Sequence, residues 1–287
     1  MWRACGIGNE WGRLREVLVH QPGQELTVEG DPDDILMLAP IDPARAGQQH
    51  GDLAQAYRDA GVTVHAVAPA GTPSPNQMFV ADLLFMTPEG AILGRPASTV
   101  RAGEERQVAR RLADLGIPIL RSLRGTATFE GADAAWLDAE TVLIARGQRT
   151  NAEGIAQVTA MLSEMGIAAI PVDMPPDAMH LMGLLRIVDG DLAIAWPGRT
   201  PASAIEALRA RGCNVAFLPD ESEASQGMAL NFVTLGSRAI VMPAGNPNTR
   251  AFYEKHGIVC TSIAVDELIK AAGAIGCLTG VLRRDVG

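Results

Sequence analysis

Five segments of this chain share one grammar: an amphipathic helix tail, a glycine, then a short apolar strand. They read "AYRDAGVTVHAV", "RRLADLGIPIL", "AMLSEMGIAAIPV", "ALRARGCNVAFL" and "FYEKHGIVCTSI", with the glycines at positions 61, 116, 166, 212 and 257. Glycine is the residue expected where a helix closes in a left-handed cap, because it carries no Cβ to clash there. Four of the five units show two β-rich runs around turn residues ahead of the helix: "LLFMTPEGAILG", "AAWLDAETVLIA", "GLLRIVDGDLAIAW" and "LNFVTLGSRAIVMP". In the first unit only "LREVLVH" is obvious as a strand. A unit this small cannot bury its apolar face alone, so the copies should pack around a common axis. The competing expectation is an ordinary α/β domain whose helix ends resemble one another by chance. The pattern favours an α/β fold of five pseudo-symmetric ββαβ units, arranged radially in a single domain over residues 1–287.

Bulk properties exclude several classes. The 24 Lys+Arg stand against 33 Asp+Glu, a net charge of −9, with no basic tract. Nucleic acid and anionic membranes are therefore poor partners. No apolar run approaches the ~18 residues needed to cross a bilayer, and the first residues lack a signal-peptide pattern. Cys5, Cys213, Cys260 and Cys277 lie far apart without metal-ligand spacing. That usage suits a reducing, cytoplasmic setting and argues against structural zinc.

In a radial arrangement, polar residues at strand entrances converge on the centre. Asp82 sits in the apolar run "MFVADLL", which reads as strand. Glu130 and Asp133 precede a hairpin in "ATFEGADAAWL", His180 begins the next in "DAMHLMGLL", and Asn231 holds the similar place in "GMALNFVTL". Cys277 follows the last unit in "GAIGCLT". Buried ionisable groups are costly unless paired or put to use. A thiolate can act as nucleophile, with His180 as general acid and base and Glu130 as its acidic partner. Asp82 then remains to pair with a cationic substrate. Taken singly, a cysteine in an apolar run is more often a small core residue, and a lone histidine a structural one.

The blocks "FVADLLFMTPEGAILGRPASTVRAGEER", "FEGADAAWLDAETVLIARGQRTNAEG", "HLMGLL" and "GCLTGVLRR" resemble, in order, those of the guanidino-group-modifying enzymes, or penteins. These include dimethylarginine dimethylaminohydrolases, arginine deiminases and amidinotransferases. The resemblance implies a five-bladed α/β propeller and a cysteine-dependent hydrolase of a carbon–nitrogen bond. It implies Cys277 as nucleophile, His180 as general acid/base and Glu130 as its partner. It further implies Asp82 on the guanidinium nitrogens and Arg101 and Arg149 on a substrate carboxylate, with Phe79 and Asn231 completing the substrate-binding set. No metal or organic cofactor is implied. "VHQPG", residues 19–23, resembles the mobile loop that closes over the substrate, and "MPAGNPNTR" is expected to help line the pocket.

Three positions depart from the family pattern. Met182 stands where deiminases and amidinotransferases carry a second aspartate, which favours the dimethylarginine-hydrolase branch. Ala81 replaces a charged residue and Asn76 an aspartate. Charged hydrogen bonds are each worth about 1.5–3 kcal/mol, so the hold on a cation is weakened. The primary expectation is a methylated arginine-like substrate. The alternatives are a neutral or cyclic guanidine-like compound such as a 2-substituted amino- or nitroimidazole, an amidinotransferase, or a non-catalytic binding protein of the same fold. A homo-oligomer is left open.

Overall fold

In the computed structural model of the chain, which describes residues 4–27 and 30–285, the five repeat glycines all take left-handed backbone, with φ between 70° and 78°. Each follows the helix of its unit. Strand β1 (Leu14–Val19) leads through helix Pro43–Asp59 to β2 (Thr63–Ala66). The second unit contains β3 (Leu84–Thr87), β4 (Gly90–Leu93), helix Glu104–Asp114 and β5 (Ile119–Ser122). The third contains β6 (Ala134–Asp138), β7 (Thr141–Arg146), helix Ala152–Glu164 and β8 (Ala168–Asp173). The fourth contains β9 (Leu185–Asp189), β10 (Leu192–Ala195), helix Ala202–Arg209 and β11 (Asn214–Phe217). The fifth contains β12 (Val233–Gly236), β13 (Ala239–Pro243), helix Pro247–Lys255 and β14 (Val259–Ile263). The strand β15 (Gly280–Arg284) comes last.

These strands form five three-stranded sheets of one design. A first strand pairs antiparallel with a middle strand, which pairs parallel with a third after the helical crossover. The first unit obeys the same rule with a strand from the far end of the chain: β15 pairs antiparallel with β1, and β1 pairs parallel with β2. The missing hairpin strand of the sequence pattern is thus supplied from more than two hundred residues away.

Burial follows strand position. The middle strands β4 and β10 are buried throughout, whereas β5 is exposed throughout and β2 and β11 are exposed at both ends. Helix faces cover the middle strands with Leu53, Val108, Leu112, Val158, Leu162, Leu208 and Tyr253, all almost fully buried. First strands of neighbouring sheets meet one another, β15 with β3 and β9 with β12, while β1 reaches β12 and closes the ring. Phe85 of the second sheet stacks on Trp136 of the third, with ring centroids 5.6 Å apart, and the Trp136 indole donates to the Met86 carbonyl at 3.2 Å.

One local expectation changes. Asp82 lies in a helical turn, Val80–Leu83, rather than in a strand. Pairing with β4 ends at Leu84 opposite Leu93, so the chain before Leu84 has no ladder to join and coils instead. Because β15 completes the first sheet, Leu282, which is fully buried, should behave as a core residue. Leu282→Ala is expected to lower unfolding free energy by about 2–5 kcal/mol, measured by urea titration. A loss below about 0.5 kcal/mol, the range of surface substitutions, would mean that β15 is a loosely held tail.

Candidate active site

The five first strands share an entrance, and each entrance carries one of the polar residues. Asp82 precedes β3, Glu130 precedes β6, His180 precedes β9, Asn231 precedes β12 and Cys277 precedes β15. The ring therefore turns five positions that are distant in sequence into one cluster. Close approach between units depends on Gly131, directly after Glu130. A side chain there would run into the carbonyl oxygens of Ala81 and Leu84, so glycine lets the Glu130 entrance lie against the Asp82 entrance.

His180 and Glu130 lie in short contact, with Nε2 2.6 Å from Oε2 and both groups buried. Burial opposes the charge on His180, yet Asp82, Asp133 and Glu130 raise its pKa to about 9. Burial likewise works against ionised Glu130, but the His180 hydrogen bond and the charges of His180, Arg101 and Arg149 lower its pKa to about 2. Asp133 stands behind the pair, accepting from Thr150 Oγ1 at 2.7 Å and from the Leu181 amide at 3.2 Å. Burial raises its pKa to about 6.

Cys277 is held by Asn231. The Asn231 amide nitrogen donates to Sγ at 3.0 Å, and its oxygen accepts from the Cys277 backbone N–H at 3.1 Å. Asn231 thus grips the thiol, a different task from the substrate contact expected of it. Gly276 makes room for that grip: an added Cβ would lie 2.8 Å from Asn231 Oδ1 and 3.0 Å from Met182 Sδ. Burial and the nearby Asp82 push the thiol up to about 11, against lowering by Asn231, Ala274 and Arg186. Cys277 rests as a thiol at neutral pH.

Asp82 binds a partner from its own chain. Arg101 donates from Nη1 to Asp82 Oδ2 at 2.6 Å and from Nε to Glu104 Oε2 at 2.9 Å. Arg101, expected on a substrate carboxylate, borders the smaller cavity, meets two carboxylates of the fold and is nearly fully buried. Burial alone would weaken its charge, but Asp82, Glu104 and Glu130 hold it well above the ordinary value. Asp82 Oδ1 keeps no hydrogen-bond partner and lies 3.9 Å from His180 Nε2. Arg149 reaches Glu130 Oε1 at 3.7 Å and remains partly exposed. Around the centre, Asp82, Glu104 and Glu130 face Arg101, Arg149 and protonated His180. Ligand atoms of Asp82, Glu130 and His180 lie within 4.8 Å of one another. Arg101 and the His180–Glu130 bond already engage this trio, so it reads as an acid–base set.

Two cavities meet here. A polar one of about 20 Å³ is bordered by Asn76, Phe79, Asp82, Arg101, Arg149 and Leu36, and a larger one of about 280 Å³ lies beside Met182; His180 and Cys277 border both. Residues 19–23 border neither; Leu36, farther along the chain, borders the smaller one, and Asn76 donates to the neighbouring Ile35 carbonyl at 2.8 Å. Asn246 of the "MPAGNPNTR" loop also borders neither cavity and instead donates to the Gly227 and Pro243 carbonyls. Sequence reading missed Glu104, because "RAGEER" looks like a solvated helix face; the signal was its spacing of three residues from Arg101.

This architecture and residue set define a guanidino-group-modifying hydrolase of the pentein class, acting on carbon–nitrogen bonds other than peptide bonds. The family model for N,N dimethylarginine dimethylhydrolase, eukaryotic, matches residues 40–284, and the chain belongs to that family. It is 26% identical over 278 residues to the uncharacterized protein YkgA of Bacillus subtilis (strain 168), covering 96% of this chain and 94% of that one. It is 25% identical over 239 residues to the N(G),N(G)-dimethylarginine dimethylaminohydrolase of Pseudomonas aeruginosa, covering 83% and 89%. The fold also matches SxtG, an amidinotransferase from Microseira wollei, with a TM-score of 0.81 at 16% identity over 99% of this chain and 98% of that one.

Two pH dependences follow. Glu130 contributes stability that is present above pH 4.5 and is lost as pH falls through about 2. His180 contributes stability complete below pH 6.5 and lost as pH rises through about 9. The difference in urea midpoint between the native chain and Glu130→Gln should be widest between those limits, pH 4.5 to 6.5; a difference constant to pH 9 would contradict a charged pair. Alkylation of Cys277 in the free protein should be slow at pH 7 and still climbing beyond pH 9, with its midpoint near 11. A plateau near neutrality would contradict the resting thiol.

Proposed function

We propose that this chain is a cysteine-dependent hydrolase that cleaves a carbon–nitrogen bond of a small guanidino or guanidine-like compound, working in the cytoplasm. The observation that carries the reading is the convergence of Cys277, His180 and Glu130 on shared cavity walls, with His180 hydrogen-bonded to Glu130. Cys277 releases its proton to water as the sulfur forms a bond to the planar carbon flanked by nitrogens. The departing amine takes its proton from His180, which leaves an S-alkylthiouronium adduct and neutral imidazole. A water that gives its proton to His180 then adds to the same carbon, and the carbon–sulfur bond breaks to release a ureido product and Cys277. Since Cys277 rests as a thiol, attack needs positive charge beside the sulfur, supplied by a cationic substrate or by protonation of a neutral one from His180.

For the substrate, a methylated arginine-like compound is the reading that family membership supports. Arg101 on Asp82 favours the second reading, a neutral or cyclic guanidine-like compound such as a 2-substituted amino- or nitroimidazole. One oxygen of Asp82 is already taken by Arg101, which leaves Oδ1 alone to meet a guanidinium.

Purified protein should be incubated with L-arginine, mono- and dimethylarginine, and a neutral amino- or nitroazole, with Cys277→Ser in parallel. At least one compound is expected to turn over, with a loss of about a thousandfold or more in Cys277→Ser. Citrulline from the methylated arginines supports the first substrate reading, and turnover confined to the azole the second. Product that forms only when an amine is added would replace hydrolysis by amidino transfer, and undiminished activity in Cys277→Ser would overturn the mechanism.

A further inference from the structure

Resting on the hydrolase reading above, we propose that the substrate carries an apolar, ring-sized group next to its reacting carbon. The cavity walled by Leu184, Trp196, Met228 and Leu230 receives it.

Size is the first argument. The polar cavity that holds Asp82, Arg101 and Arg149 measures about 20 Å³, little more than one water. The second cavity measures about 280 Å³, nearly twice the ~150 Å³ that encloses a benzene ring in a dry protein interior. Cys277, His180, Met179 and Ala272 border both, so a carbon bonded to the sulfur stands at the junction. A substituent on that carbon can reach the larger space without passing through the polar one.

Wall chemistry is the second argument. Leu184 and Leu230 are buried, Trp196 is 8% exposed, and Met182 lines the same space near the nucleophile. The charged groups that border the cavity already hold partners. His180 is bonded to Glu130, and Arg199 pairs with Asp177 at 2.7 Å while lying over the Trp196 ring at 4.8 Å. Arg199 keeps Nε without a partner, so one polar contact remains on a wall otherwise built from Leu184, Trp196, Met228 and Leu230. Apolar walls around empty volume forgo dispersion contacts that a ligand of matching shape restores.

The geometry also offers a clean way to fill the cavity. Gly183 lines it, and a Cβ at this position meets no heavy atom within 4 Å. Gly183→Leu should therefore occupy the space without strain, and Ser225→Phe, at an exposed position on the opposite wall, provides a second route should the first variant fold poorly.

The test uses 2-aminoimidazoles bearing methyl, butyl or benzyl groups, titrated calorimetrically into full-length Cys277→Ser protein, which removes turnover from the readout. Affinity should rise with the group, the benzyl compound binding about tenfold or more tighter than the methyl compound. Adding Gly183→Leu or Ser225→Phe should abolish that preference and leave methyl binding within about threefold. Equal affinity across the series, or a preference that survives both fillings, overturns the inference. Should the benzyl compound bind preferentially while Cys277-intact protein hydrolyses none of the three, the cavity assignment stands and the hydrolase reading loses its substrate.

Discussion

The pairing of β15 with β1 is the contact on which the rest of the molecule depends. It is antiparallel, joins the two ends of the chain, and supplies the first sheet with the strand its own sequence lacks. Without it four units would carry complete sheets and the first would carry two strands. The same pairing fixes Cys277, three residues upstream of β15, at the fifth entrance of the ring. Fold closure and placement of Cys277 are therefore linked. Changes that weaken β15 should disturb both, because the pairing closes the longest loop of the chain.

At the centre, electrostatics restrain the residues that the fold assembles. Burial would favour neutral forms of His180 and Glu130, but each holds the other charged. Cys277 lies outside that exchange, where burial and Asp82 favour the thiol against Asn231, Ala274 and Arg186. A thiol held in this way is spared adventitious oxidation and alkylation, and its reactivity becomes contingent on what enters the pocket. Arg101 extends the logic. By donating to Asp82 Oδ2 it leaves Oδ1 as the one oxygen of that carboxylate without a partner.

Much of this was legible in the sequence. The glycine caps at 61, 116, 166, 212 and 257 and the four hairpins are local features, so local pattern reveals them. The entrances were legible too, because Asp82, Glu130, His180 and Asn231 interrupt apolar runs at matching places. What stayed hidden depends on distance. The first sheet's third strand arrives from residues 280–284, and no local signal marks a partner so remote. The Arg101–Glu104–Asp82 network was missed since Glu104 looks like any charged residue opening a helix. The larger cavity draws its walls from residues 177–184, from Trp196 and Arg199, from residues 224–231, and from Ala272 and Cys277, four segments that meet only through the ring.

The covalent site proposed on Cys277 is open to a direct test: acid-quenched peptide mass spectrometry of His180→Ala protein incubated with an S-alkylisothiourea, whose thiol leaves without the proton an amine requires. An amidino adduct is expected to accumulate on Cys277 and not on Cys5, Cys213 or Cys260, because its formation no longer needs His180 while its hydrolysis does. An adduct on another cysteine, or hydrolysis by this variant at the native rate with no adduct on Cys277, would contradict it.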